Sequence, residues 1–77
     1  MKKFTAAEAL SLIPKLKLKR FDKRDWEAFA GVQSNEPWIC YHKNYTFVVD
    51  DDRFDIYAND MTGDFQSFQL SERRPGT

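Results

Sequence analysis

Four groups of residues in this chain have types and spacings that could do chemistry. Cys40 and His42 put a thiol and an imidazole two residues apart. In an extended strand such residues share a face about 6.5–7 Å apart along the backbone. A working nucleophile and base must approach to about 2.6–3.2 Å. No glycine-rich turn accompanies them to supply an oxyanion hole. The pair reads as a small buried Cys and an edge His, and no catalytic residue is expected.

Asp50, Asp51, Asp52 and Asp55 form an acidic cluster, followed by Asp60 and Asp64. Oxygen-rich loops hold hard cations, but a calcium loop needs alternating Asp/Asn, a central Gly and a terminal Glu. Asp50-Asp51-Asp52-Arg53-Phe54-Asp55 has none of that order. These residues suit turns and a solvated acidic edge, so no metal and no cofactor are expected.

Lys15, Lys17, Lys19, Arg20, Lys23 and Arg24 form a basic run beside Phe21 and Trp26. Cations interleaved with aromatics are what a nucleic-acid surface uses, for phosphate contact and for base stacking. Zero net charge and the absence of a named nucleic-acid motif argue the other way. The fourth group is aromatic: Tyr57, Phe65, and Tyr41 or Trp38 depending on register, with Asp51, Asp52 and Asp55 at the rim. An exposed aromatic patch rimmed by charge most often marks a protein interface.

These groups must be positioned by local elements, and the clearest are strands. Trp38–His42, Tyr45–Asp50, Arg53–Ala58 and Phe65–Leu70 are rich in aromatic and β-branched residues, which suit a pleated sheet. Lys43-Asn44, Asp51-Asp52 and residues 59–64 separate them with turn formers. In Arg53–Ala58, Phe54, Ile56 and Ala58 alternate with Arg53, Asp55 and Tyr57. This predicts an antiparallel meander with one buried and one wetter face. The cover comes from upstream. Thr5 and Glu8 form a capping box for a helix over residues 6–13 that Pro14 stops. Asp22 caps a second helix over residues 23–30, with Phe21 and Trp26 as a hydrophobic staple and Gly31 as its C-terminal cap. Between the helices, Lys15–Arg20 alternates with period two and reads as an edge strand or an extended linker.

The chain has 77 residues and one cysteine. A domain of this size buries only about 60% of its unfolded surface. With no internal disulfide available, seven Phe, three Tyr and two Trp must supply dense packing, or a homodimer must. A lone cysteine suits a reducing compartment, and no stretch approaches the ~18 apolar residues of a membrane span. A cytoplasmic protein without a membrane partner is expected. Asn44-Tyr45-Thr46 matches a glycosylation acceptor that has no use there. Residues 1–31 carry a formal charge of +4 and residues 32–77 of −4, so the two parts attract one another.

The cadence Glu8-Ala9-Leu10, Lys19-Arg20 and Asp25-Trp26 resembles small phage anti-defence proteins that sequester signalling nucleotides. The resemblance rests on these short groups and assigns no site residue. The expected architecture is α+β: two short N-terminal helices packed on a three- to four-stranded antiparallel β-meander, with residues 1–70 as one domain and 71–77 as a flexible tail. The expected core is Leu10, Ile13, Leu16, Leu18, Trp26, Phe29, Phe47, Val49, Phe54, Ile56, Phe68 and Leu70. The expected function is a small non-catalytic protein-binding module, of the kind phage and mobile elements use as accessory inhibitors, that occludes a partner surface through Trp38, Tyr41, Tyr57, Phe65, Asp51, Asp52 and Asp55. One alternative is nucleic-acid binding through the Lys15–Arg24 run. The other is a small-ligand or nucleotide-sequestering protein.

Overall fold

The structure, a computed structural model, describes residues 3–32, 35–60 and 63–73. Its elements in chain order are helix α1 (Ala6–Leu12), a 3-10 turn (Ile13–Lys15), strand β1 (Lys19–Arg20), helix α2 (Lys23–Ala28), strands β2 (Trp38–His42), β3 (Tyr45–Asp50), β4 (Arg53–Ala58) and β5 (Phe65–Gln69), and a second 3-10 turn (Leu70–Arg73). The strands form one antiparallel sheet in the order β1-β2-β3-β4-β5. The fold is α+β, with five strands where three or four were expected. The fifth is what remains of the Lys15–Arg20 alternation. Its last two residues pair with β2, while the segment before them is a 3-10 turn and an extended connector. Of the tail expected from residue 71, residues 71–73 belong to the second 3-10 turn and 74–77 lie outside the described residues.

Both helices start as their capping residues dictate. Thr5 Oγ1 accepts from the Glu8 N–H at 3.1 Å, and Glu8 Oε1 accepts from the Thr5 N–H at 3.0 Å. Asp22 Oδ1 accepts from the Asp25 N–H and Asp25 Oδ2 from the Asp22 N–H, each at 3.0 Å. Each box satisfies donors that a helix start leaves free. Pro14 does not break the chain after Ile13; it sits inside the 3-10 turn that continues α1, where its missing N–H costs nothing. α2 ends at Phe29 rather than at a Gly31 cap.

Register shows what each face of the sheet does. On one face lie Cys40, Phe47, Phe54, Ile56 and Phe68, packed against Ala9 and Leu10 of α1. Phe47 and Phe54 stack with ring centroids 5.9 Å apart, a diagonal cross-strand pair. Fully burying each such side chain contributes about 1.5–3 kcal/mol. Gln66 ties the chain start to β5: its Oε1 accepts from the Phe4 N–H at 3.0 Å and its Nε2 donates to the Phe4 carbonyl at 3.1 Å.

The second helix does not join the first. α2 lies across the opposite face, with Phe29 against Tyr57 (centroids 5.0 Å apart) and Asp25 bonded to Tyr41. This corrects the expectation that both helices cover one side. It also accounts for Ile39 and Val48. Both lie on the α2 face by register, opposite one another, and both are fully buried. Trp26, expected in the core, is 37% exposed; it makes the staple with Phe21 at 5.1 Å but does not reach the sheet's centre. Ile39, Val48 and Ala9 take core places that were not expected of them, and Cys40 is buried as expected.

Candidate functional site

The α2 face has a cross-sheet row of Tyr41, Thr46, Tyr57 and Phe65, one residue from each of β2 to β5. The neighbouring row is Lys19, Ile39, Val48, Asp55 and Ser67. Tyr41, and not Trp38, therefore shares a side with Tyr57. Trp38 stands on the α1 face, where the Arg20 guanidinium carbon lies 3.9 Å from its ring centroid. This is a cation–π contact on an edge strand.

At the β1–β2 end of this face, α2 is bolted down by charge. Asp25 is buried to 2% exposure. Its Oδ2 accepts from Lys19 Nζ at 3.0 Å and from the Asp22 N–H at 3.0 Å, and its Oδ1 accepts from the Tyr41 hydroxyl. Burial pushes the Asp25 carboxyl up. The bonds from Asp22, Tyr41 and Lys19 outweigh that and hold it at about 2. In return, burial of the hydroxyl and its bond to ionised Asp25 push Tyr41 up to about 12. Much of the Tyr41 ring is exposed, but its polar end is committed. Lys19 is raised as well, first by its bond to Asp25 and then by Asp22.

The β4–β5 end differs. Beyond Phe29 the helix stops, and a cleft of about 240 Å³ opens between Phe29, Gly31, Val32 and the strands. Tyr57 and Phe65 stack along it with centroids 5.4 Å apart, and Phe65 is 54% exposed. Asp50, Arg53 and Asp55 line the rest. Asp55 is buried to 3% exposure. Its Oδ2 accepts from Arg53 Nη2 at 3.3 Å and from the Tyr57 hydroxyl at 3.4 Å, both long beside the usual ~2.7–2.9 Å of a charge-assisted bond. Its Oδ1 is buried without any partner. Leaving such an atom unsatisfied costs about 1–3 kcal/mol. Burial, followed by the Asp55 charge, raises Tyr57. Among the described residues Asp55 Oδ1 is the buried side-chain polar atom left in that state.

Other expected site residues fall elsewhere. Asp51 and Asp52 form the two-residue turn between β3 and β4, with Asp51 at φ 53°, and the Asp52 carbonyl accepts from the Leu70 N–H at 2.6 Å. Of the basic run, Lys19 is held by Asp22 and Asp25, and Arg20 donates to the Glu36 carbonyl at 2.8 Å. Adjacent strand residues face opposite ways, so Lys19 and Arg20 do not share one surface. Lys15, Lys17, Lys23 and Arg24 are exposed. Cys40 is buried in the α1-side core, and among the described residues no cluster of His, Cys, Asp and Glu could hold a metal. A larger cleft, about 430 Å³, lies at the opposite end of β3 and β4 around Lys43, Asn44, Tyr45, Ala58, Asn59 and Asp60. The Thr46 hydroxyl, nearby, donates to Asn59 Oδ1 at 2.6 Å. No helix among the described residues is long and apolar enough to cross a membrane.

Reasoning from sequence named Tyr57, Phe65 and Asp55, which the fold brings to one cleft. It missed Phe29, Arg53 and Asp50 as neighbours in one cleft. The available signal was the unbroken apolar run Phe47-Val48-Val49, which belongs to a strand covered on both faces. Comparison of the chain with family models, curated proteins and solved structures returned no match.

Proposed function

We propose that this is a non-catalytic binding module that engages another protein through the Tyr57–Phe65 end of the α2 face and occludes the surface it covers. The observation that carries this reading is Phe65: a large aromatic, 54% exposed, stacked on a half-buried tyrosine beside buried carboxylates. Aromatic anchors of this kind, ringed by charge, supply most of the energy of protein interfaces. Tyr41 and Trp38 have other tasks, in the α2 anchor and under Arg20, so the interface narrows to Tyr57, Phe65, Asp55 and their cleft neighbours.

The test is capture of a partner from the native host by wild type, Phe65→Ala and Tyr41→Phe. Loss with Phe65→Ala alone, at unchanged circular dichroism, supports the reading. Equal capture by all three sinks it. So does a homodimer, by sedimentation, that buries Phe65. Retention on a DNA or heparin column that weakens with salt and with Lys17→Glu would favour the nucleic-acid reading instead.

A further inference from the structure

The partially satisfied carboxylate in the cleft points to what it recognises. Asp55 is buried and supported on one oxygen only, by contacts of 3.3 and 3.4 Å, while its other oxygen has no donor among the described residues. Native proteins rarely leave a buried polar atom in that state, and the exceptions mark places where something else belongs. The cleft walls fit one kind of occupant. Phe29, Tyr57 and Phe65 supply aromatic surface, and Asp50 and Asp55 place carboxylates among the described lining residues. Aromatic rings and carboxylates together attract a cation.

The molecule already holds a cation at the site. The Arg53 guanidinium reaches Asp55 Oδ2, but weakly, and its side chain is 56% exposed. It stands over the carboxylate as a displaceable plug. We propose, resting on the protein-binding reading above, that the cleft is a pocket for one arginine side chain of the partner protein. On binding, Arg53 swings out and the incoming guanidinium takes its place on the Asp55 carboxylate, with its plane against the aromatic wall. A planar fork matches a carboxylate in a way an ammonium does not.

The test uses Nα-acetyl-arginine methylamide as a free probe, followed by amide chemical shifts, with the citrulline and lysine analogues as controls. The expected result is saturable shifts at residues 53–57 and 65, with a dissociation constant on the order of millimolar. Asp55→Asn weakens binding about tenfold or more, because the charge that holds the probe is gone. Arg53→Gln tightens it about two- to fivefold, the worth of the exposed pair it removes. No saturable shift overturns the proposal, as does equal binding of the citrulline analogue. Lysine binding as tightly as arginine overturns the guanidinium assignment. Arg53→Gln without a gain overturns the plug, and keeps the proposal testable if Asp55→Asn does not fold. The probe needs no partner, so the two readings fail separately. A protein that loses its partner on Phe65→Ala yet ignores the probe keeps the interface and loses the arginine pocket. One that binds the probe but captures no protein does the reverse.

Discussion

Asp25 and Asp55 serve the same face of the same sheet and are nearly equally hidden from water, at 2% and 3% exposure. Their surroundings are opposite. Asp25 uses both oxygens, accepting from a backbone N–H, an ammonium and a hydroxyl. Asp55 uses one oxygen, at long range, and leaves the other empty. A buried carboxylate lowers the free energy of a fold only when its bonds replace the water it lost. By that measure the first aspartate holds α2 to the sheet, while the second is a local strain that packing elsewhere must offset. The helix ends between them: Asp25 lies beneath its first turn, and Phe29, its C-cap, marks where cover stops and the cleft begins.

The strongest way to break this comparison is to remove the anchor. Asp25→Ala deletes one half of the α2 capping box and leaves Lys19 and Tyr41 without their shared acceptor. A cap is worth about 1 kcal/mol, and loss of a buried, multiply bonded charge more. The expected loss is about 2–4 kcal/mol in urea unfolding, with α2 detaching first and the Trp26 emission shifting to the red. An unchanged midpoint would show that apolar contacts, Phe29 on Tyr57 among them, hold the helix without the anchor.

The same anchor sets a pH dependence. The folded Asp25 carboxyl sits at about 2 against an ordinary 3.8. A depressed carboxylate contributes stability that is fully present above its unfolded value and disappears as pH falls through the folded one. The difference in unfolding free energy between wild type and Asp25→Asn is therefore expected to be largest above about pH 4. It should shrink by about 2 kcal/mol on acidification to about pH 2. At the other end, Tyr41 is raised to about 12. Its contribution is intact below about pH 10 and falls as pH rises through 12. Tyr41→Phe should lack that alkaline limb.

The opposite sign is expected at the other aspartate. Asp55→Asn removes a charge that the fold does not satisfy and keeps the side chain's size. Replacing poorly paired buried charge is often neutral or stabilising, so the variant should gain up to about 1 kcal/mol in urea unfolding. A loss comparable to that of Asp25→Ala would mean that Arg53 and Tyr57 hold Asp55 more firmly than their distances indicate, and the contrast between the two ends would collapse.

Much of this layout was legible from residue order alone. The bounds of β2, β3 and β4 follow from alternation and from Lys43-Asn44 and Asp51-Asp52, because two-residue turns leave no freedom in register. Both helix starts follow from Thr5/Glu8 and Asp22/Asp25. The side of the sheet that α2 covers was not legible. Capping chemistry fixes where a helix begins but says nothing about its direction across a sheet. That depends on long-range contacts, Phe29 with Tyr57 and Asp25 with Tyr41. The cleft was hidden for the same reason, since Phe29 and Asp55 are far apart in sequence and meet only once α2 is placed. Asp25 was visible as a capping residue; its second role, as acceptor for Lys19 and Tyr41, appears only in three dimensions.

The smallest expected effect concerns Asp51, at the tip beside the cleft. Its φ of 53° places it in the left-handed region, where a side chain costs roughly 1 kcal/mol relative to glycine. Glycine also gives up more backbone entropy on folding, so Asp51→Gly should raise stability by only about 0.5 kcal/mol, read as a small rise in the urea midpoint. Its value lies in what it separates. Asp51 could serve the turn, or it could belong with Phe65 and Asp55 as part of the interface. If it serves the turn alone, the glycine variant is slightly more stable and captures a partner as well as wild type does. If capture falls while the midpoint rises, the interface extends past the cleft to the β3–β4 tip. The under-satisfied end of the face would then be one part of a larger acidic contact instead of the whole of it.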